Sequence, residues 1–248
     1  HGREHSFPTR RSSDLLEPNS NWNGSLDYWN IKMTDVISDI AEDVVFETPS
    51  YYNNLNIVHR FFNDPTEDVE YVELKKANRG TLKTSGLDLV VNWRSDPTSA
   101  GRFGVRLNGT YVLEYKNQSE ASAPLISRLG NFSNDKAVQR WRSVTSLDWD
   151  YEAYSLTLTN IYLSGYTDQN VPGLSIDPNH DVKAYSLWDL TGFYKISKTM
   201  KISGGVINLF DTDPPFTNQS KYFQTSWDPT YGDPRGRSYY VSLQYKFM

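Results

Sequence analysis

Apolar and polar residues alternate along several stretches of this chain, each about ten residues long. The clearest stretch is residues 237–247, where the odd positions from Tyr239 onward are aromatic or aliphatic. The even positions, Tyr240 apart, are Ser, Gln or Lys. A period of two predicts a strand with one apolar and one polar face.

The same pattern predicts eight strands in all, and no run of apolar residues approaches the length of a membrane helix. The one competing helical period is a short stretch within residues 34–42. The predicted strands are 26–33, 83–94, 102–115, 140–151, 154–163, 184–194, 200–210 and 237–247.

The connections between these strands alternate strictly between long and short. The long ones are 34–82, 116–139, 164–183 and 211–236, and the short ones are 95–101, 150–153 and 195–199. Outer-membrane barrels have long loops at one end and short turns at the other, with aromatic residues near the strand ends. Strands of roughly 9–11 residues cross a bilayer when tilted. The sequence therefore predicts an all-β, antiparallel transmembrane β-barrel wall.

Residues 1–15 differ from the rest because they are basic and aperiodic. The stretch FPTRRSSDL at 7–15 looks like a translated sequencing adapter. We therefore set residues 1–15 apart as a disordered scar and assign 16–248 to the barrel. The alternative is a genuine disordered basic tail.

The amino-acid composition argues against several classes of function. The 25 Lys and Arg against 30 Asp and Glu give a net charge of −5, which argues against a nucleic-acid partner. The absence of cysteine excludes a disulfide or a thiolate site. The acidic pairs Asp211/Asp213 and Asp228/Asp233 could act as paired carboxylates or bind a hard cation, but neighbouring Pro and Gly favour turns. We predict no enzyme activity, no metal site and no cofactor.

The C-terminal part resembles the end of TonB-dependent outer-membrane receptors. The resemblance rests on VINLFDTDPPFTNQ at 206–219 and WDPTYGDPRGRSYYVSLQYKF at 227–247, with the Asn-Leu-Phe-Asp, Gly-Arg and terminal Tyr-x-Phe motifs. It extends over residues 17–247 through LDYWNIK at 26–32, LKTSGLDL at 82–89 and YLSGYTDQ at 162–169. One departure is Met248, which follows Phe247 where family members end on an aromatic residue.

The resemblance implies the last eight strands of a 22-stranded barrel whose lumen holds an N-terminal plug. The plug and the TonB box would precede this chain. It also implies a receptor that imports a scarce nutrient, either a small molecule or an oligomer, across the outer membrane of a Gram-negative bacterium. The other partners implied are the inner-membrane TonB complex, acting through the plug, and the lipid and lipopolysaccharide of the outer membrane.

Two groups of residues are candidates for contacts in such a receptor. Aromatic residues in the long loops could stack on a ligand or, alternatively, pack loops together at the lipopolysaccharide boundary; they are Tyr51, Tyr52, Tyr166, Tyr222, Phe223, Trp227 and Tyr231. Polar residues predicted on the lumen side could hold the plug by ionic contacts; they are Arg106, Asn108, Glu114, Arg140, Arg142 and Asp148.

Two other classes remain open at this stage. An even count of eight strands would permit a complete small barrel that serves as an adhesin or structural anchor. A soluble carbohydrate-binding or glycosidase β domain is the second rival. The substrate of a receptor would remain undetermined among iron chelates, vitamins, oligosaccharides and peptides.

Overall fold

The computed structural model describes residues 10–38, 45, 53–54, 56–73, 76–118, 124–133, 136–168, 180–219 and 225–247. Antiparallel strands account for most of these residues, which also include a short 3₁₀ turn, Phe61–Asn63. No helix in the described ranges is long and apolar enough to cross a bilayer.

The strands follow one another along the chain with lengths from two to eighteen residues. They are β1 (Arg10–Asn19), β2 (Trp22–Ser38), β3 (Val58–Arg60), β4 (Val69–Val72), β5 (Ala77–Arg94), β6 (Arg102–Gln118), β7 (Ile126–Ser127), β8 (Phe132–Ser133), β9 (Lys136–Ala137), β10 (Trp141–Tyr151), β11 (Tyr154–Leu163), β12 (Tyr166–Thr167), β13 (Asp181–Val182), β14 (Tyr185–Lys195), β15 (Met200–Ile207) and β16 (Ser238–Tyr245).

The long strands form one sheet in which each pairs with its neighbours in the chain. The order is β1-β2-β5-β6-β10-β11-β14-β15-β16, and β7 pairs with β6. The register between β10 and β11 sets Leu147 opposite Leu158 and Asp148 opposite Thr157. Apolar residues thus share one face and polar residues the other, as the alternation predicts.

The sheet differs from the sequence prediction at its N-terminal end. An additional strand, β1, pairs with β2 and includes residues 10–15, which sequence analysis set apart as disordered. A strand can join the edge of a sheet through backbone hydrogen bonds without alternating apolar and polar residues. The alternation in the sequence therefore did not predict β1. The N-terminal edge strand is therefore β1 rather than the strand around Leu26. The origin of residues 1–15 as a scar stays a prediction.

The helix predicted within residues 34–42 is wrong for its first half. Residues 34–38 continue strand β2 as far as Ser38, and residues 39–42 lie outside the described residues. The stretch contains the β-branched residues Thr34, Val36 and Ile37, which suit an extended backbone. The last strand is also shorter than predicted, since β16 ends at Tyr245.

The chain divides into two compact units. The first comprises residues 1–9, 31–84 and 115–127, and the second comprises 10–30, 85–114 and 128–248. In the first unit the β3–β4 hairpin packs Val58 against Val45, with Ile57, Val69 and Val72 around them. In the second unit the buried apolar cluster lies in the long connections rather than on the sheet.

Large apolar side chains on one face of the sheet are exposed. Val241 is 78% exposed and Leu243 63%. Others on the same face are Phe103, Tyr111, Leu147, Leu156, Tyr194 and Ile202. An apolar surface of this extent requires a covering environment other than water. We call it the apolar face and call the opposite side the polar face.

Candidate functional site

The polar face carries an ion pair between adjacent strands. Arg106 of β6 donates from Nε to Oδ2 of Asp148 and from Nη2 to Oδ1, with 2.9 Å for each bond. The register places Arg106 opposite Ser146, so that Asp148 is its diagonal neighbour on the same face. Thr157 of β11 also donates its hydroxyl to Asp148 Oδ1 at 2.7 Å. A planar guanidinium that meets a carboxylate through two bonds is a geometrically specific contact.

Further polar contacts continue on both sides of this pair. Arg94 lies 3.1 Å from Asp150, and Thr110 donates its hydroxyl to Asp88 at 2.8 Å. A polar concavity adjoins the ion pair and is lined by Ser20, Asn21, Asn23, Asn92, Trp93, Arg94, Gly104, Arg106, Asp148 and Asp150. This concavity lies toward the short turns, at the end of the polar face where β10 finishes.

The other residues predicted to face a plug lie nearer the long loops. Arg142 stands opposite Thr110 and is exposed, and Asn108 lines the same hollow. Arg140 precedes β10, and its carbonyl accepts the Val112 amide at 2.9 Å. Glu114 is half-buried on β6. The structure therefore brings Arg106 and Asp148 together, and Arg140, Arg142 and Glu114 lie farther along the same strands, toward the long loops. Contact with a plug stays a prediction for all of them.

Sequence analysis missed an apolar area on the polar face. Val144 and Ile161 stand opposite each other at polar-face positions and are 42% and 36% exposed. Val90 and Leu163 line the same hollow, which Arg142 borders. The sequence does indicate this area, because the aliphatic residue Val144 stands where the alternation of Arg142, Ser146 and Asp148 would place a polar residue.

Three of the long connections in the second unit pack together into what we call the loop cluster. Phe132, Ala137, Tyr166 and Val182 are buried in it, each less than a tenth exposed. Tyr231 packs against them and donates its hydroxyl to the Ala137 carbonyl at 2.8 Å. Tyr166 therefore packs loops together, which was the alternative that sequence analysis gave for it.

Asp168 is a buried carboxylate that the sequence gave no reason to single out. Its side chain is 0% exposed and accepts the Thr217 hydroxyl, the Asn218 amide and the Gln219 side-chain amide, at 2.9–3.1 Å. Its own backbone amide donates to the His180 carbonyl at 2.8 Å. These bonds join the connection after β11 to the connection after β15, two segments about fifty residues apart.

Only some of the remaining aromatic candidates lie among the described residues. Trp227 and Tyr231 line a small cavity together with Tyr166, so three of the predicted ligand residues converge. Tyr51, Tyr52, Tyr222 and Phe223 lie outside the described residues. Ligand contact stays a prediction for the whole set.

Three of the four acids in the two pairs accept hydrogen bonds from backbone amides. Asp211 accepts the Arg237 amide at 2.7 Å, and Asp233 accepts the Arg235 guanidinium, with its shortest bond at 2.6 Å. The hydrogen bonds from Arg235 lower the pKa of Asp233 to about 2. No cluster of three metal-ligating side chains occurs in the part of the chain that the structure describes. The turn role is confirmed for Asp211, Asp228 and Asp233, and it stays a prediction for Asp213.

The Asn-Leu-Phe-Asp motif forms a turn that closes strand β15. Asn208 has a left-handed backbone, with φ of 52°. Its side chain donates to the Thr212 carbonyl at 3.0 Å and accepts the Thr212 amide at 2.8 Å. Its backbone amide donates to Asp189 of β14 at 2.8 Å. Asn tolerates this conformation and can make both side-chain bonds, which explains its place in the motif.

A sheet with an exposed apolar face, a polar opposite face, short turns at one end and long loops at the other is the wall of a transmembrane β-barrel. Residues 15–209 match the family described as TonB dependent receptor-like, beta-barrel. The chain belongs to the TonB-dependent receptors, a family of the outer membrane of Gram-negative bacteria, and it forms part of the barrel. The fold predicted from the sequence is confirmed.

Named relatives of this chain are receptors and transporters. It is 29% identical over 147 residues to the ferric enterobactin receptor PirA of Pseudomonas aeruginosa, an alignment that covers 56% of this chain and 17% of that receptor. The ferric enterobactin receptor PfeA of the same organism, solved with enterobactin, superposes with a TM-score of 0.65 at 17% identity. That superposition covers 97% of this chain and 31% of PfeA.

More distant structures share the fold. The FrpB iron transporter of Neisseria meningitidis superposes with a TM-score of 0.61 at 13% identity, covering 96% of this chain and 31% of that one. The chain thus spans about a third or less of the length of the relatives it matches. At these identities the structures show the fold alone.

Proposed function

We propose that this chain is barrel wall of an outer-membrane receptor that imports an iron-chelate nutrient, with energy supplied by the inner-membrane TonB complex. The observation that carries the proposal is the family match over residues 15–209. The iron-chelate class is supported by the relative with 29% identity, whose name describes a ferric enterobactin receptor. No covalent chemistry belongs to this function.

In this proposal the two faces of the sheet contact different partners. The apolar face contacts the hydrocarbon of the outer membrane, and the aromatic residues at its ends contact headgroups and lipopolysaccharide. The polar face supports a plug through Arg106, Asp148, Glu114, Arg140 and Arg142. The TonB complex acts on that plug rather than on the wall described here.

Ligand capture is assigned to the loop end. Trp227 and Tyr231 supply aromatic surface there, and Tyr166 supports these two from the buried side. Tyr222 and Phe223 stay ligand candidates because they belong to the same connection. Arg142 adds a positive charge that is exposed and borders an apolar hollow. A cation beside apolar surface suits a ligand with both negative charge and flat apolar parts.

The experiment is an uptake assay with the complete receptor gene in a Gram-negative host that lacks its own siderophore receptors. Radiolabelled iron carried by ferric enterobactin should enter TonB-positive cells and stay outside cells without TonB. Uptake that is equal in both hosts would contradict coupling. Failure with every iron chelate and success with another nutrient would contradict the substrate class but leave the receptor function intact.

A pair of variants tests the Arg142 assignment. Arg142→Gln should weaken binding of an anionic chelate several-fold because one exposed cation at the hollow is lost. The matched control is Lys198→Gln, which removes one exposed cation in the turn after β14, away from the loop end. Equal effects of the two variants would contradict the assignment.

The rival of a complete eight-stranded barrel is not supported. The described sheet runs through nine strands on one path, and among the described residues β1 and β16 end that path without pairing with each other. A closed barrel requires each strand to have two neighbours.

A further inference from the structure

Positive charge is concentrated on the last three strands of the sheet. Residues 190–210, which include β15 and the turn before it, contain three lysines and neither Asp nor Glu. Residues 237–248 contain Arg237 and Lys246 and again no acid. The short-turn ends of β14, β15 and β16 are therefore positive, in a chain whose net charge is −5.

Three of these lysines share the polar face. Lys195 of β14 lies directly opposite Lys201 of β15, and Lys201 lies opposite Gln244 of β16. Lys246 follows Gln244 by two residues and so lies on the same face, and its amide donates to the Thr199 carbonyl at 2.8 Å. We call Lys195, Lys201 and Lys246 the lysine surface.

The lysine surface has no counter-charge in the described sheet. Like charges directly opposite each other destabilise a strand pair. Nζ of Lys201 lies 5.0 Å and Nζ of Lys195 5.7 Å from the centre of the Phe193 ring, a contact that is attractive but leaves the net charge unchanged. No carboxylate among the described residues forms an ion pair with any of the three lysines. Glu152 lines the same hollow as Lys195 but does not pair with it.

Two arginines on the neighbouring strands of the same face are balanced within the sheet. Arg106 forms two hydrogen bonds with Asp148, and Arg94 lies 3.1 Å from Asp150. The lysine surface lacks such an internal partner, so a group that neutralises it has to come from outside the described sheet.

The position of the lysine surface favours a polypeptide over a lipid as that partner. Tyr194, Ile202 and Tyr245 alternate with the lysines and lie on the apolar face, so a phosphate of the surrounding bilayer would meet the opposite side of the sheet. Three cations on three adjacent strands extend over two strand spacings, about 10 Å in all. The complementary partner is therefore a segment with two or more Asp or Glu side chains.

We propose that the lysine surface is the docking site for an acidic segment of the receptor's plug. This inference rests on the proposed function, because a plug belongs to a receptor of that kind. The segment places its carboxylates at the short-turn end of the polar face, which is the periplasmic end of such a barrel. These contacts are separate from the Arg106–Asp148 pair, whose charges already balance within the wall.

The primary test is carbodiimide cross-linking of the purified intact receptor, because this reagent joins an amine to a carboxylate in direct contact without a spacer. We expect mass spectrometry to identify an amide between the lysine surface and an Asp or Glu of the plug. Lys183 is the control in the same sample, since it is exposed in the connection before β14, at the long-loop end. The absence of such an amide, an equal yield from Lys183, or links to barrel carboxylates alone would overturn the proposal.

Two double variants of the complete receptor separate charge from shape. Lys195→Gln with Lys201→Gln removes two charges, so a protease added to the purified receptor should cleave the acidic plug segment several-fold faster. Lys195→Arg with Lys201→Arg keeps both charges and should leave the rate unchanged. An unchanged rate in the glutamine variant, or equally fast cleavage in both variants, would contradict an ionic contact.

The cross-link requires neither a nutrient nor TonB, so its result is independent of the uptake assay. A cross-link to the plug in a receptor that imports no iron chelate would contradict the substrate class and support the docking site. Uptake by a receptor that gives no cross-link would support the proposed function and overturn the docking site.

Discussion

Thr217 donates its single hydroxyl toward both carboxylate oxygens of Asp168, at 2.9 Å to each. Both residues are buried, at 2% and 0% exposure. The connection after β11 is therefore anchored to the connection after β15 by a carboxylate with no access to water. Buried charge-assisted bonds of this kind are stronger than bonds between neutral groups.

Replacement of Asp168 should loosen both connections together. Asp168→Ala leaves the Thr217 hydroxyl and the Gln219 amide without their acceptor, at a cost of about 1–3 kcal/mol per buried group. Limited proteolysis of the intact receptor should then cleave both connections faster. The matched control is Asp181→Ala, which removes an exposed acceptor of the Thr167 hydroxyl. Faster cleavage in only one connection would contradict the anchoring role.

Gly101 should tolerate no side chain. Its φ is +103°, and an added Cβ would lie 2.5 Å from the Asp150 carbonyl oxygen. We expect Gly101→Ala to lower the free energy of unfolding by more than the 1–3 kcal/mol of backbone strain alone. Gly130→Ala is the control, because Gly130 also has a positive φ of +75° but nothing within 4 Å of the added atom. Equal thermal destabilisation of the two variants would show that crowding at Asp150 is unimportant.

The last strand tests the assignment of faces. Leu243 lies on the apolar face opposite Ile202, and Ser242 lies on the polar face opposite Ser203. Leu243→Arg in the complete receptor should cost about 2–4 kcal/mol, the range for a cation facing lipid near the bilayer centre. Ser242→Arg should leave assembly nearly unchanged. The measurement is folded receptor in outer-membrane fractions, and a greater loss for Ser242→Arg would reverse the two faces.

The turn around Asp233 should respond to acid. Hydrogen bonds from Arg235 lower the pKa of Asp233 from 3.8 to about 2, so the ordered turn is favoured above pH 3.8. That contribution should be lost as the pH falls through about 2. An NMR titration of the intact receptor should show the low pKa, and Arg235→Gln should return it toward 3.8. An unchanged pKa in the variant would contradict the assigned cause.

This chain alone should not form a pore. Strands β1 and β16 each pair with one neighbour in the described sheet. Unpaired backbone groups at these edges would cost several kcal/mol each in hydrocarbon. The refolded chain in planar bilayers should give no current steps of uniform size, and uniform steps would show that the edges close on themselves.

The strand pattern was predictable because a wall that faces lipid on one side and a polar interior on the other imposes a period of two on each strand. Asp148 was assigned to the polar side for that reason, and the register, which sets it opposite Thr157, confirms the assignment. Strand β1 was missed because an edge can form through backbone bonds alone. The possible short helix within residues 34–42 does not begin before Ser38, because β2 extends that far, and residues 39–42 lie outside the described residues.

The loop cluster was less predictable because no local period links its parts. Asp168 meets Thr217 across forty-nine residues of sequence. Nothing in the residues next to Asp168 distinguishes it from a solvated loop carboxylate. Tyr166 was singled out in the sequence as a loop aromatic. Its burial could not be predicted, because it depends on Phe132 and Val182, which are distant from it in the sequence.

The ion pair of Arg106 and Asp148 is complete within the wall. Arg106 supplies two bonds and Thr157 a third, so the carboxylate does not depend on any group outside the sheet. A segment that contacts this surface can therefore dissociate from it without leaving an uncompensated carboxylate on the wall. The charge balance of the wall at this point is therefore independent of what occupies the lumen.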